Sequence, residues 1–477
     1  METARSKIVC TVGPACEAEA CLASMLDAGM DVARLNFSHG EHEWHAAMID
    51  RLRALEAKRS QPIGILADLQ GPRMRVGKLR GGTMTLVAGT TVTLTTAPIE
   101  GADGLIPSDY DLLPADVKPG SRILLEDGLL DLRGESVAAP RVVCTVVTGG
   151  ELADHKGMNL PGVEVSAPAL SEKDRADLAF AVAHGVDFIA LSFVRKPSDV
   201  EELRTALRDL GSDAQIIAKL EKPEVLADLD ALLAVTDAVM VARGDLGVEM
   251  PPEQVPIAQK RIIARCMAFR TPVIVATQML ESMCTNPRPT RAEVADVANA
   301  VLDGADAVML SEETAAGHYP VEAVRMMDAI VREAEGYQDS LPHLATALAD
   351  VSQRLTFSDA VARAAAETAE HVGADLIAAF TESGFTARLV SKCRSAVPAI
   401  AVTPKVATAR RCTLYWGVTP ALLDQHLEPR AMIADVEALC HGHGIACGST
   451  IVITWGMPSG IAGATNMMRL HQVGSLS

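Results

Sequence analysis

Lys219, Glu221 and Asp245 fall where two apolar runs end. Ile216 to Ala218 lead into Lys219-Leu220-Glu221, and Ala238 to Ala242 lead into Arg243-Gly244-Asp245. Runs this short suit buried parallel strands whose polar groups arrive at the exit. A helical stretch over 223–235 joins them, so they read as neighbouring strands with the three charges on one rim. Two carboxylates and a lysine there suit a divalent cation beside an anionic substrate. Gly244 permits close backbone approach, and a helix starting beyond it offers N–H groups to a carboxylate.

The elements that must hold this rim repeat along the chain. Further strand candidates are Lys7–Thr11, Asp31–Phe37, Ile63–Leu69, Asp187–Phe193, Pro272–Thr277 and Ala307–Leu310, most followed by helical stretches. About eight βα units, one interrupted, point to a closed parallel barrel with its chemistry where strands end. The second exit delivers Arg34, Asn36, Ser38 and His39; the third, Asp68 and then Gly71-Pro72-Arg73-Met74-Arg75. The fourth gives Ser192, Arg195 and Lys196; the seventh, Thr277 and Gln278; the eighth, Ser311, Glu312 and Glu313. Arg195 and Glu312 read equally well as members of ordinary ion pairs. Taken together, the cations and acids favour phosphoryl transfer, which needs a metal on phosphate oxygens and cations against developing charge.

The interruption lies after the third strand. Its segments are short, rich in Thr and Val and bounded by glycines, which reads as an all-β insertion. Its place at the active end of the barrel makes it a hinged lid, with a passive insertion as the alternative. A third region alternates helices and strands from near residue 346, as in an open, mostly parallel sheet. The expected domains are a (β/α)8 barrel over residues 1–71 and 169–345, a β-barrel lid over 72–168, and an α/β domain over 346–477.

Composition bounds the partners. In 477 residues, aromatics make up 3% and the formal charge is −18, which argues against nucleic-acid binding. The chain shows no apolar stretch long enough for a bilayer, and its first residues lack a signal-peptide core. Ten scattered cysteines fit reduced thiols and a cytoplasmic enzyme. Cys440, His441, His443 and Cys447 offer soft ligands at a spacing that fits no common zinc site, so an ordinary loop is expected.

The motifs TVGPA, RLNFSHG, DLQGP, KGMNLPG, LSEKD, KLEKPE, VMVARGDLGVE, ATQMLESM, PRPTRAEVADVANAVLDGADAVMLSEETA and TESG occur in this order. Over essentially the whole chain this resembles the pyruvate kinase family, and its second bacterial type in particular. The resemblance implies phosphoryl transfer from phosphoenolpyruvate to ADP, giving pyruvate and ATP, in a homotetramer. It implies that Glu221 and Asp245 hold Mg²⁺ (Mn²⁺ being an alternative), that Lys219 stabilises the transferring group, and that Arg34 contacts the substrate phosphate. Gly244 and Asp245 would meet the substrate carboxylate, and Thr277 the carbon that is protonated. Arg75, Lys156, Asn36, His39 and Lys196 would serve the nucleotide. Asn36, Ser38, Asp68 and the carbonyl of Leu69 match a monovalent-cation site.

Departures from the family pattern carry their own expectations. Arg73 stands where a glutamate accompanies potassium dependence; its fixed charge would repel K⁺, so K⁺ is not expected to be required. Thr381, Ser383, Gly384 and Thr386 match a phosphate-binding effector loop. Glu382 is acidic there, and the later stretch Trp455 to Asn466 has no arginine, so a sugar monophosphate or AMP is expected and a bisphosphate is not; a loop with no ligand is the alternative. Trp44 either stacks on adenine or packs on the barrel helix. The competing functions are a Mg²⁺-dependent lyase or mutase acting on an enolpyruvate or 2-oxo acid, and a nonenzymatic metabolite sensor.

Overall fold

The computed structural model describes residues 4–340, 356–424, 429–457 and 463–475. The expected start of the third region, near residue 346, and residues 458–462 of the later effector stretch lie outside these.

Eight parallel strands close into a barrel: Lys7–Val12, Val32–Asn36, Gly64–Asp68, Phe188–Leu191, Gln215–Leu220, Ala238–Ala242, Val273–Ala276 and Ala307–Leu310. The first pairs with the eighth, Lys7 opposite Ala307. Side chains alternate across the strands as the two-residue period demands. Val9, Val32, Leu66, Phe188, Ile217 and Ile274 fill the barrel, while Ile8, Ala33, Ile65, Ile216 and Val239 pack outward under the helices. The stretch 223–235 is not one helix. A 3-10 turn over Pro223–Ala227 gives way to a helix over Leu229–Leu233. Asp228, at φ −124°, begins the new turn, as aspartate readily does at helix starts.

The third strand pairs directly with the fourth, Leu66 opposite Phe188, although the inserted region separates them in sequence. That region is built almost wholly of strands, in a six-stranded and a two-stranded sheet that share one apolar core. Sequence reading missed its short strands Leu105–Pro107, Gly150–Ala153 and Met158–Asn159, too brief to show a period. Gly71 marks the departure. Its φ of +71° suits glycine, and its N–H donates to Asp174 Oδ1 at 3.0 Å. Asp174 also completes the capping box that starts helix Glu172–Ala183.

The C-terminal sheet runs in the order Val418–Leu422, Ala399–Thr403, Leu376–Phe380, Thr450–Gly456, Thr465–Gln472, parallel except for the last strand. This domain seals the barrel floor: a Cβ added at Gly64 would lie 2.5 Å from Thr413 Oγ1. Below the barrel, the buried Asp306 carboxylate receives Lys392 Nζ at 2.6 Å and Arg394 Nη2 at 3.1 Å. Among the described residues no helix is long and apolar enough to cross a membrane.

Candidate active site

Lys219 projects from the fifth barrel strand with 11% of its side chain exposed. Its ammonium lies 2.9 Å from Glu221 Oε1 and 3.2 Å from Asp68 Oδ1, and donates to Ser192 Oγ at 2.7 Å. Ser192 in turn donates to the Leu69 carbonyl at 2.7 Å. Burial opposes the ammonium charge, but Asp68 and Glu221 more than offset this and hold its pKa above the ordinary lysine value. Asp68 also takes Arg34 Nε at 2.7 Å. Burial works to raise its carboxyl, yet Lys219 and Arg34 hold it below the usual range. Arg34 Nη1 donates to Thr11 Oγ1 at 2.9 Å, so the guanidinium is fixed from two sides. Strand pairing dictates this grouping, since Asn36 stands opposite Asp68 across the second and third strands.

Glu221 differs from Asp68. Burial pushes its carboxyl up to about 7; Lys219 opposes the rise and Asp245 adds to it. Its Oε2 accepts the Phe193 N–H at 2.6 Å. Asp245 is thus close enough to work against the Glu221 charge, a repulsion that a divalent cation would relieve. Among the described residues no three His, Cys, Asp or Glu side chains gather to hold a metal, the Cys440 to Cys447 stretch included. A two-carboxylate set suits Mg²⁺, which commonly takes one or two protein carboxylates and leaves the rest to water and substrate.

Asp245 and Gly244 lie in the first turn of helix Arg243–Glu249. The Gly244 N–H donates to Thr277 Oγ1 at 2.8 Å, and that hydroxyl donates to the Ala276 carbonyl at 2.6 Å. Thr277 sits at φ +70°, a strained conformation for a β-branched residue. Arg243 braces the turn through Asp296 at 2.7 Å and the Thr277 carbonyl at 2.7 Å. Burial foremost, and then the charges of Arg73, Arg75 and Arg34, lower the pKa of His39, which favours its neutral form.

The pyruvate kinase barrel-domain model matches residues 3–324, and the pyruvate kinase alpha/beta-domain model matches residues 359–471. The chain belongs to the pyruvate kinase family. A pyruvate kinase of Sporosarcina psychrophila is 44% identical over 481 residues, covering 99% of this chain and 81% of that protein. One from Staphylococcus saprophyticus is 45% identical over 474 residues, covering 98% and 80%. A crystal structure of a pyruvate kinase from Cryptosporidium parvum is similar with a TM-score of 0.94 at 38% identity, covering 98% of this chain and 96% of that one. As a pyruvate kinase the protein transfers the phosphoryl group of phosphoenolpyruvate to ADP, giving pyruvate and ATP, and the lyase or mutase alternative is not favoured.

Other expected site residues of this pyruvate kinase do not bond directly to Lys219. Lys156 is on the lid, paired with Glu126 at 2.9 Å. Lys196 is exposed at the start of helix Pro197–Asp209. Ser38 donates its backbone N–H to Asn36 Oδ1 at 3.1 Å. Thr381, Ser383, Gly384 and Thr386 belong to the C-terminal domain; Gly384 has φ +86°, and the Thr386 and Thr465 hydroxyls share a hydrogen bond of 2.6 Å. Trp44 packs partly buried against the outer core and donates to Glu17 Oε2 at 2.9 Å, which favours packing over base stacking. Arg195 holds the returning lid segment through the Val165 and Ala167 carbonyls, at 2.5 and 2.9 Å. Sequence reading placed Ser192 on the rim but not its link to Lys219, and it missed Thr11 as the brace of Arg34. A hydroxyl's partner has no sequence signature.

Proposed function

We propose that Lys219, Arg34 and Thr277 carry the transfer, and that Glu221 and Asp245 hold Mg²⁺, with Mn²⁺ as a substitute. The observation that supports this most is the Lys219 ammonium, largely shielded from solvent and kept charged between Asp68 and Glu221 beside the fixed Arg34 guanidinium. Held by Glu221 and Asp245, the ion would supply charge neutralisation for the transferring group. Arg34 binds the phosphate of phosphoenolpyruvate. The substrate carboxylate takes the Gly244 and Asp245 N–H groups, and the Thr277 hydroxyl then faces the reacting carbon. The bond from phosphorus to the enolate oxygen breaks as one to the ADP β-phosphate forms. Lys219 offsets the charge left on the enolate, whose carbon then takes a proton near Thr277, through water. Arg75, His39, Asn36 and Lys196 bind the nucleotide, and Lys156 exchanges Glu126 for its phosphates.

Of the monovalent-cation oxygens, Asp68 Oδ2 takes Arg34 and the Leu69 carbonyl takes Ser192, while Asp68 Oδ1, 3.2 Å from Lys219 Nζ, has no hydrogen-bond partner. The fixed charges of Arg34 and Lys219 on Asp68, together with arginine at position 73, support activity without K⁺. At the effector loop, Lys405 is paired with Glu382 at 3.1 Å, while Thr381 Oγ1 is buried without a hydrogen-bond partner. That supports a sugar monophosphate or AMP over a bisphosphate. The ten unpaired cysteines support a cytoplasmic enzyme, which we read as a homotetramer.

Pyruvate formation from phosphoenolpyruvate, ADP and Mg²⁺, measured first without K⁺ or NH₄⁺ and then with K⁺, tests this reading. Most of the activity is expected before K⁺ is added. Activity confined to the K⁺ assay would discard the Arg73 argument, and pyruvate made without ADP would return the lyase.

A further inference from the structure

Glu249 ends the helix Arg243–Glu249, one turn beyond Asp245 and on the same face by its four-residue spacing. Its side chain is buried. One oxygen, Oε1, receives both Lys222 Nζ and, at 3.0 Å, the amide of Asn159. The other, Oε2, is buried without a hydrogen-bond partner. Lys222 follows Glu221 directly and is itself buried. Asn159 belongs to the lid strand Met158–Asn159. One carboxylate therefore joins the exit of the fifth strand, the helix after the sixth, and the lid. Beside it a lid turn meets the same helix: a Cβ added at Gly128 would lie 3.5 Å from Val248 Cγ1. Asn159, Lys222 and Asp245 line one cavity with Arg73.

A buried ion pair is a poor source of stability, but it fixes geometry. We propose that Glu249 is a positioning residue: through Lys222 it sets Glu221 against Asp245, and through Asn159 it docks the lid on that same unit. Lid docking and assembly of the metal site are then coupled. The proposal rests on the reading of Glu221 and Asp245 as the metal carboxylates.

The test uses the full chain, with Mn²⁺ titrated by electron paramagnetic resonance in the presence of phosphoenolpyruvate, beside steady-state kinetics. Glu249→Gln and Lys222→Met are each expected to weaken Mn²⁺ binding about tenfold, and Lys222→Arg to restore most of it. Asn159→Ala is expected to raise KM for ADP about tenfold with kcat little changed, and to have no further effect in a Glu249→Ala background. Mn²⁺ affinity within about twofold of the parent in Glu249→Gln and Lys222→Met, or additive effects of Asn159→Ala and Glu249→Ala, would overturn the proposal. Should the Glu249 variants fail to fold, Lys222→Met against Lys222→Arg decides. Asp245→Asn separates the two layers: Mn²⁺ binding that survives it removes the metal reading, whereas its loss beside unaltered Glu249→Gln removes only the role of Glu249.

Discussion

Ser192 is the residue on which the Lys219 geometry turns. Its hydroxyl passes a hydrogen bond from the ammonium to the Leu69 carbonyl, so it orients the lysine without changing its charge. Ser192→Ala is expected to lower kcat about tenfold with KM for phosphoenolpyruvate little changed, because one charge-assisted hydrogen bond is lost. Lys219→Gln removes the charge itself and is expected to cost at least about a hundredfold in kcat. At position 73 the sign of the charge is the variable. Arg73→Glu is expected to make activity depend on added K⁺, read as the ratio of rates with and without the ion; an unchanged ratio would sink the argument. Lys219, Glu221 and Asp245 were legible in the sequence because each follows an apolar run and so lands on the rim. Ser192 and Thr11 act through hydroxyl contacts that only the folded strands bring together.

Helix Arg291–Leu302 shows what an element contributes. It opens on a capping box, Thr290 with Glu293. The Glu293 carboxylate accepts the Thr290 N–H at 2.7 Å and the Ser282 N–H at 2.7 Å, tying the helix to the segment that follows the strained Thr277. Burial works to raise its pKa, but the Ser282 and Thr290 hydrogen bonds hold it below the ordinary value of 4.5. A depressed carboxyl stabilises the fold fully above that ordinary value and loses its contribution as pH falls through the folded one. Glu293→Ala is therefore expected to cost ~1–2 kcal/mol at neutral pH, seen as a lower thermal midpoint, with the gap to the parent narrowing below pH 4.5. The barrel strands were legible because each is a buried apolar run. The short lid strands, and Val418–Leu422 and Thr465–Gln472 in the C-terminal sheet, were not. Thr465–Gln472 is an edge strand, exposed along most of its length, so it carries neither an apolar run nor an alternation.

The whole molecule is held at its floor by a charge that neither domain satisfies alone. Asp306 of the barrel is buried between Lys392 and Arg394 of the C-terminal domain. Burial foremost lowers the pKa of Lys392, and Asp306 holds it up. Asp306→Ala leaves two buried cations unpaired and is expected to cost ~3–5 kcal/mol, seen as an early thermal transition that starts at this contact. At the effector loop, saturation curves for phosphoenolpyruvate are expected to stay unmoved by fructose-1,6-bisphosphate and to sharpen with a sugar monophosphate or AMP. The direct pairing of Leu66 with Phe188 has a different consequence. The barrel's strand ladder closes without a rung from the inserted region. The lid is thus a cartridge in a finished wall. An exchanged lid would leave the register of the barrel strands in place, but would lose the Asn159 bond to Glu249 and the Arg195 bonds to Val165 and Ala167. A foreign lid would therefore fit the barrel's register and still have to rebuild those contacts to dock.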